Sequence, residues 1–381
     1  MLFIPPEVLE QILQFCDKQT LCSTSLVAHR FLDPSQRQLF SELHFRWLPV
    51  EEQRHMCSIL SQSPHRLANH VRVFSLGLDP EFSLLPPTIL QSLTNLTALH
   101  LSWEGLLWEA SDTDTQEIVK TAIGLPTLRV ISVIGLGFVA IGTLLSVLNS
   151  LGPNLQSMSF IAMFQKDSML TNYNTNSDLQ VVRRGISALH LGQNVPNGLW
   201  SWLQTTINFS AIQVLGLALN NRESECQTIL DAAVNIQELN INAHRMSNYS
   251  NIHLNHASQL ATLTLNCRIE DDGDDDEKLV FNPLAEFCAI VRRTRPLHKL
   301  TSLELIIQYA CNSPLSHFHQ PGADVNRLLV EPVLVGVKSV LVVLDWTWGT
   351  PENPADLYDK DGFHEYFRAF IERGGQLRFG A

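Results

Sequence analysis

A hexamer recurs along most of this 381-residue chain: L-x-x-L-x-L, with Ile, Val, Met or Phe also admitted at the apolar positions. Its copies are Val71-Phe74-Leu76, Leu96-Leu99-Leu101, Leu128-Ile131-Val133, Leu155-Met158-Phe160, Ile186-Leu189-Leu191, Ile212-Leu215-Leu217, Ile236-Leu239-Ile241, Leu260-Leu263-Leu265, Leu300-Leu303-Leu305 and Val337-Val340-Val342. A weaker copy, Phe40-Leu43-Phe45, precedes them. Successive starts from Val71 onward lie 25, 32, 27, 31, 26, 24, 24, 40 and 37 residues apart. One such hexamer says little, but ten at similar intervals constrain the fold. The last two apolar positions alternate, as in a short strand with one buried face, and the first packs beside them. Segments 116–123, 142–151 and 283–293 carry apolar residues three and four apart, the spacing of a helix covering that strand. One strand–helix unit cannot bury its own apolar face, whereas stacked units join their faces into a core. An α/β chain with a parallel sheet is expected.

These intervals resemble leucine-rich repeats, whose period is about 20–29 residues. The resemblance implies an irregular solenoid with its parallel sheet on the concave side. That family places Asn three residues after the last apolar position. Asn194 and Asn220 fit, whereas Glu104, His244 and Arg268 depart from the pattern. The 40-residue interval holds an acidic run, residues 270–278, read as a solvated insertion. It is no EF-hand, because placing Gly273 sixth puts Arg268 first and Leu279 twelfth.

Composition narrows the function. A formal charge of −12 argues against nucleic acid, whose phosphates call for clustered Lys and Arg. Seven scattered cysteines without a CxxC pair suit a reducing compartment and suggest neither a disulfide framework nor a zinc site. Met1 to Ile4 carries no basic residue, and Glu7 and Glu10 interrupt any apolar leader, so a cytoplasmic or nuclear chain is expected. Residues 130–148 are uncharged and nearly long enough to span a bilayer, but three glycines and the hexamer series within them favour a folded segment. Gly135, Gly137 and Gly142 miss the dinucleotide-binding spacing. The pairs His253/His256 and His317/His319 lack the spacing of a zinc helix. No catalytic residue, metal or cofactor is expected, nor are nucleic-acid or membrane partners.

The opening "IPPEVLEQILQFCDK" predicts a helix from about residue 5 to 16 with a broad apolar face. Asp17 is expected to cap a second helix, and Asp33 a third that starts at Pro34. Residues 4–31 resemble, without a gap, the F-box motif, read here as "IPPEVLEQI", "CDK", Leu21 and "SLVAHRF". Ile4, Pro5, Glu7, Val8, Leu9, Ile12, Asp17, Leu21, Ser25, Leu26, Val27 and Arg30 match or are close substitutes, while Cys16, Lys18 and Phe31 depart from the pattern. The resemblance covers about a tenth of the chain and implies docking onto the Skp-family adaptor of a cullin–RING ubiquitin ligase.

The expected organisation is an F-box-like helical unit over residues 1–45, a leucine-rich-repeat solenoid over 46–345 and a C-terminal cap over 346–381. The cap is read as a helix carrying Phe363, Tyr366, Phe367, Phe370 and Ile371, stopped by Gly374. Adaptor contacts are expected at Ile4, Pro5, Glu7, Val8, Leu9, Ile12, Phe15, Leu21, Leu26 and Val27. A target protein of unknown identity is expected on the concave face, at His190, Glu238, Asn240, Asn242, Thr262, Thr264 and Asn266. Ala98, His100, Ser132, Ser159, Ser302 and Glu304 flank the apolar positions in the same way. The alternative is a stand-alone repeat scaffold whose first helices only cap it.

Overall fold

The structure is a computed structural model. It describes residues 4–45, 48–63, 67–78, 88–103, 107–161, 164–165, 183–192, 195–219, 223–243, 251–270, 283–310, 325–346 and 367–380. Several expectations lie outside these residues: Asn194, Asn220, Glu104, His244, most of the acidic run, His317, His319, Phe363 and Tyr366. The chain is α/β, with a large all-parallel sheet of twelve strands that does not close. It divides into two compact units, residues 1–184 with 194–206, and residues 185–193 with 207–381.

The first unit opens with helices α1 (Pro6–Leu13), α2 (Lys18–Val27) and α3 (His29–Leu39). Its parallel strands are β1 (Glu42–His44), β2 (Val73–Leu78), β3 (Ala98–Trp103), β4 (Val130–Ile134) and β6 (Ser157–Ile161). A separate short pair, β5 (Gly137–Phe138) and β7 (Phe164–Gln165), stands apart from the main sheet. Between strands run helices α4 (Val50–Gln62), α5 (Thr88–Ser92), α6 (Thr113–Ile123) and α7 (Ile141–Asn149), and α8 (Asn197–Thr206) packs beside α7. The uncharged stretch 130–148 is thus split into β4, β5 and most of α7. Among the described residues no helix is long and apolar enough to cross a membrane.

Strand pairing places the hexamer in columns. Leu43, Phe74, Leu99, Ile131 and Met158 are register partners in turn, and Leu76, Leu101, Val133 and Phe160 form the next apolar column. All nine are buried, as are the first positions Val71, Leu96, Leu128 and Leu155.

The second unit repeats the arrangement with β8 (Ala188–Leu191), β9 (Val214–Leu219), β10 (Glu238–Ala243), β11 (Thr262–Glu270), β12 (Ser302–Ala310), β13 (Ser339–Trp346) and β14 (Gln376–Gly380). Helices α9 (Glu223–Ala232) and α10 (Pro283–Arg293) pack on the sheet, and α11 (Arg368–Glu372) precedes the last strand. Leu189, Leu215, Leu239, Leu263, Leu303 and Val340 align in one column and are buried.

Within each unit a backbone device holds successive strands in register. The carbonyl of the residue immediately before a strand accepts two consecutive amides from the next strand's entry. Arg72 O takes Thr97 and Ala98 N–H at 2.8 and 2.9 Å, and Thr97 O takes Arg129 and Val130 N–H. Gln213 O, Gln237 O and Ala261 O act alike in the second unit.

Three expectations are corrected. Helix α1 ends at Leu13 rather than Cys16, because Phe15 and Cys16 N–H fold back onto the Ile12 and Leu13 carbonyls in a tighter turn. Helix α3 starts at His29 instead of Pro34, which lies inside it. There the proline ring forfeits the bond to the Arg30 carbonyl and crowds that carbonyl, a cost that packing must offset. In return the longer helix places Phe31 against the small core of the helical unit and buries Pro34 and Ser35, as it packs on the 3-10 turn Leu67–His70. Asp33 is therefore no cap; it pairs with Arg37 at 2.7 Å. The C-terminal segment supplies a strand besides a short helix. Gly374, at φ 90°, ends α11, and "QLRFG" then pairs in parallel with β13.

Candidate functional site

The opening helices carry both buried and exposed apolar residues. Asp17 accepts the Thr20 N–H at 2.7 Å and starts α2 one residue after the α1 turn, which folds the two helices together. Leu9, Leu13 and Leu21 form a small buried cluster, with Cys16, Phe31 and Leu39 packed against it. Of the residues expected at the adaptor, Leu9 and Leu21 are thus inside and hold the helices to one another. Ile4, Val8, Ile12, Phe15, Leu26 and Val27 are outside; Phe15 is 90% exposed, Leu26 86% and Val27 76%. Pro5 and Glu7 are exposed beside them. Val8 and Ile12 lie four residues apart on α1 and so share one of its faces, and exposed apolar faces of this kind mark interaction surfaces.

Behind this patch the unit is tied down by charge. Arg37 pairs with Glu10 at 2.9 Å as well as with Asp33, joining α3 to α1. His70 Nε2 lies 3.5 Å from Asp33, but burial depresses its basicity more than that carboxylate raises it.

The open face of the second-unit sheet is the other candidate. Along β10, burial alternates between the exposed Glu238, the half-buried Asn240 and Asn242, and the buried residues between them. Register aligns His190, Gly216, Asn240, Thr264 and Glu304 in one row, with Glu238, Thr262 and Ser302 in the row before and Asn242 and Asn266 in the row after. All seven residues expected to meet a target lie on this face. Thr264 is buried and donates its hydroxyl to Glu304 Oε2 at 3.1 Å. His190 lies across the backbone of Gly216: a Cβ there would stand 2.4 Å from His190 Nδ1. Burial lowers the pKa of His190 from its ordinary 6.5 and favours the neutral ring.

The first-unit sheet carries different chemistry in the equivalent row: His44, Ser75, His100, Ser132 and Ser159. His44 Nδ1 and Ser75 Oγ are 2.9 Å apart, and Glu42 Oε2 is 3.8 Å from His44 Nε2. His100 is pushed below its ordinary value by burial and by His44. Of this row the sequence pattern marks His100, Ser132 and Ser159; His44 falls in the weak Phe40-Leu43-Phe45 copy, and Ser75 stood in a regular copy where the same alternation could have marked it.

Other candidates resolve into structure. His256 faces Asp231 at 3.8 Å, and the Gln227 side chain accepts the His253 N–H and donates to its carbonyl, which ties α9 to the next turn. Burial pushes the Cys57 thiol up to about 11 and Cys267 up to about 12, away from nucleophilic use. No cluster of three His, Cys, Asp or Glu among the described residues could hold a metal ion.

A scan against protein-family models finds no match to this chain, and a search of curated proteins finds none either.

Proposed function

We propose that this is a repeat-built binding protein of the leucine-rich-repeat type. More particularly, we read it as the substrate-receptor subunit of a cullin–RING ubiquitin ligase, working in the cytoplasm or nucleus. The opening helices dock a Skp-family adaptor, and the open sheet face holds the target. The protein itself is non-catalytic and acts by raising the target's local concentration near the ligase's catalytic subunits. The observation that carries this reading is the division of the F-box-like residues: Leu9 and Leu21 hold the helices together, while Ile4, Val8, Ile12, Phe15, Leu26 and Val27 remain in water. Fully burying one such side chain is worth about 1.5–3 kcal/mol, so an adaptor covering several of them gains enough to bind. Helical faces of this kind suit helix-in-groove recognition.

The test is a pulldown of the intact chain with a purified Skp-family adaptor. Phe15→Ser and Ile12→Arg are expected to abolish capture and leave the melting temperature unchanged, because both side chains are exposed. Leu9→Arg is unsuitable as a control, since it would disrupt the buried cluster. Failure of the intact chain to bind any adaptor ends the reading.

A second reading, a stand-alone scaffold capped by its first helices, draws on the seam between α3 and the turn Leu67–His70, where Ser35 is fully buried. Deleting residues 1–38 would destabilise the first unit under either reading. The surface substitutions therefore discriminate: a scaffold would keep every partner when Phe15 and Ile12 are changed.

A further inference from the structure

The second-unit face has a polarity that bears on what it holds. Glu238 is exposed and Glu304 half-exposed, and neither has a cationic partner among the described residues, whereas Glu331 elsewhere in the unit meets Arg292 at 3.4 Å and Asp231 meets His256 at 3.8 Å. Glu304 is oriented by the Thr264 hydroxyl on one of its two oxygens. Immediately beside it the surface turns apolar, and one strand further the same row carries the exposed Arg378 of β14. Glu304 is the register partner of Leu341, and Ile306 is that of Val343, all three aliphatic residues being half-buried. Neighbouring strands lie about 4.8 Å apart, so the carboxylate and the aliphatic patch stand within one strand spacing of each other. On the other side, the row continues through Asn240 to Gly216 of β9, which His190 covers.

An anchored carboxylate at the edge of an aliphatic patch, in a chain of net charge −12, is complementary to a cation carried on an apolar neighbour. Arginine fits better than lysine. Its planar fork can bridge an oriented carboxylate, it is weakly hydrated, and it loses less on leaving water. We propose that the β10–β13 face recognises a target segment carrying an arginine with an aliphatic residue one or two positions away. This rests on the reading that the open sheet face takes the target, and it supplies the target's chemistry.

The experiment is selection of a random peptide library on the immobilised intact chain, followed by fluorescence anisotropy of the recovered peptides at physiological ionic strength. Recovered peptides are expected to carry Arg beside Leu, Ile or Val. Glu304→Gln should weaken them about tenfold, the loss expected for a hydrogen bond to a charged group. Leu341→Ser should weaken them as well, and thermal melting checks that both variants remain folded. Replacing the Arg by Lys should cost part of the affinity. A variant with Asp271, Asp272, Asp274, Asp275, Asp276 and Glu277 changed to Asn or Gln separates local recognition from general acidity. It should reduce the salt dependence and leave the arginine preference intact. The inference is overturned if selection yields no binder, if the binders lack arginine, if Glu304→Gln has no effect, or if neutralising that run alone abolishes binding. Adaptor capture is read separately: a chain that binds the adaptor but selects no arginine peptide refutes this inference and leaves the ligase reading standing, and the converse result does the opposite.

Discussion

At the scale of single residues, the open face depends on one missing side chain. His190 can lie over β9 because Gly216 has no Cβ, and that position buries the ring and lowers its pKa. Gly216→Ala is expected to swing the whole His190 ring outward about its Cα–Cβ bond, since Nδ1 and Cγ stand 2.4 and 3.2 Å from the added Cβ. Melting should change little. The His190 titration, followed by NMR, should move up toward 6.5 as the ring regains water. An unchanged titration would show that burial of His190 does not depend on the glycine. The opening helices show the complementary case. The apolar pattern of α1 marks Leu9, Ile12 and Leu13 alike, yet Leu9 and Leu13 are buried and Ile12 is half in water. Composition cannot tell these fates apart, because they depend on where α2 and α3 lie.

Strand and helix elements are joined by contacts that the hexamer only partly announces. The apolar columns were legible, since a period of two sets which side chains face the core. Asn194 and Asn220, the asparagines that fit the repeat pattern, lie outside the described residues, and the polar ties seen come from a different position. The asparagines that bond neighbouring backbone immediately precede the hexamer: Asn95, Asn154 and Asn235 donate to the carbonyls of Asn69, Pro126 and Ser210 at 2.9, 2.8 and 2.8 Å. Asn directly before a hexamer start was a signal available in the sequence. Asn235→Ala should lower stability by about 0.5–1 kcal/mol, read from denaturant midpoints, because the bond is exposed and water can replace it. Gly152 is less forgiving. Its N–H donates to Ile123 O at 2.8 Å, and a Cβ would stand 2.6 Å from Leu125 O. Backbone cannot yield as a side chain does, so Gly152→Ala should cost roughly 1–3 kcal/mol. A neutral result would mean that the α7–β6 turn can shift freely.

For the whole molecule, the histidines set the response to acid. His70, His100 and His190 are all held below 6.5, chiefly by burial. Below that pH the unfolded chain takes up protons that the folded chain resists, so stability declines as pH falls from about 7 to 5. Asp17 and Asp112, held low mainly by their bonds to Thr20 and Thr115, add a further loss as pH falls through their depressed folded values. Melting temperature should therefore fall across both ranges, and His100→Gln should flatten the first; an unaltered slope would remove His100 from the account. Thiol reactivity offers an independent check on the fold. Cys22 is exposed, while Cys57, Cys226, Cys267 and Cys288 are buried. A thiol reagent should modify Cys22 rapidly in the native chain and reach the buried four only on unfolding. Fast labelling of Cys267 would contradict the packing of β11.

The sequence by itself determined the parallel α/β plan and the apolar columns, because both follow from a local period that recurs along the chain. It also carried the F-box-like pattern and most of the polar face. Only the tertiary structure decided that Phe15 and Leu26 stay in water while Leu21 does not, that α3 begins before its proline, that "QLRFG" becomes a strand, and that Glu304 borders an aliphatic patch. Each of these depends on neighbours distant in the chain, and burial is a property of what a side chain meets rather than of the residue alone.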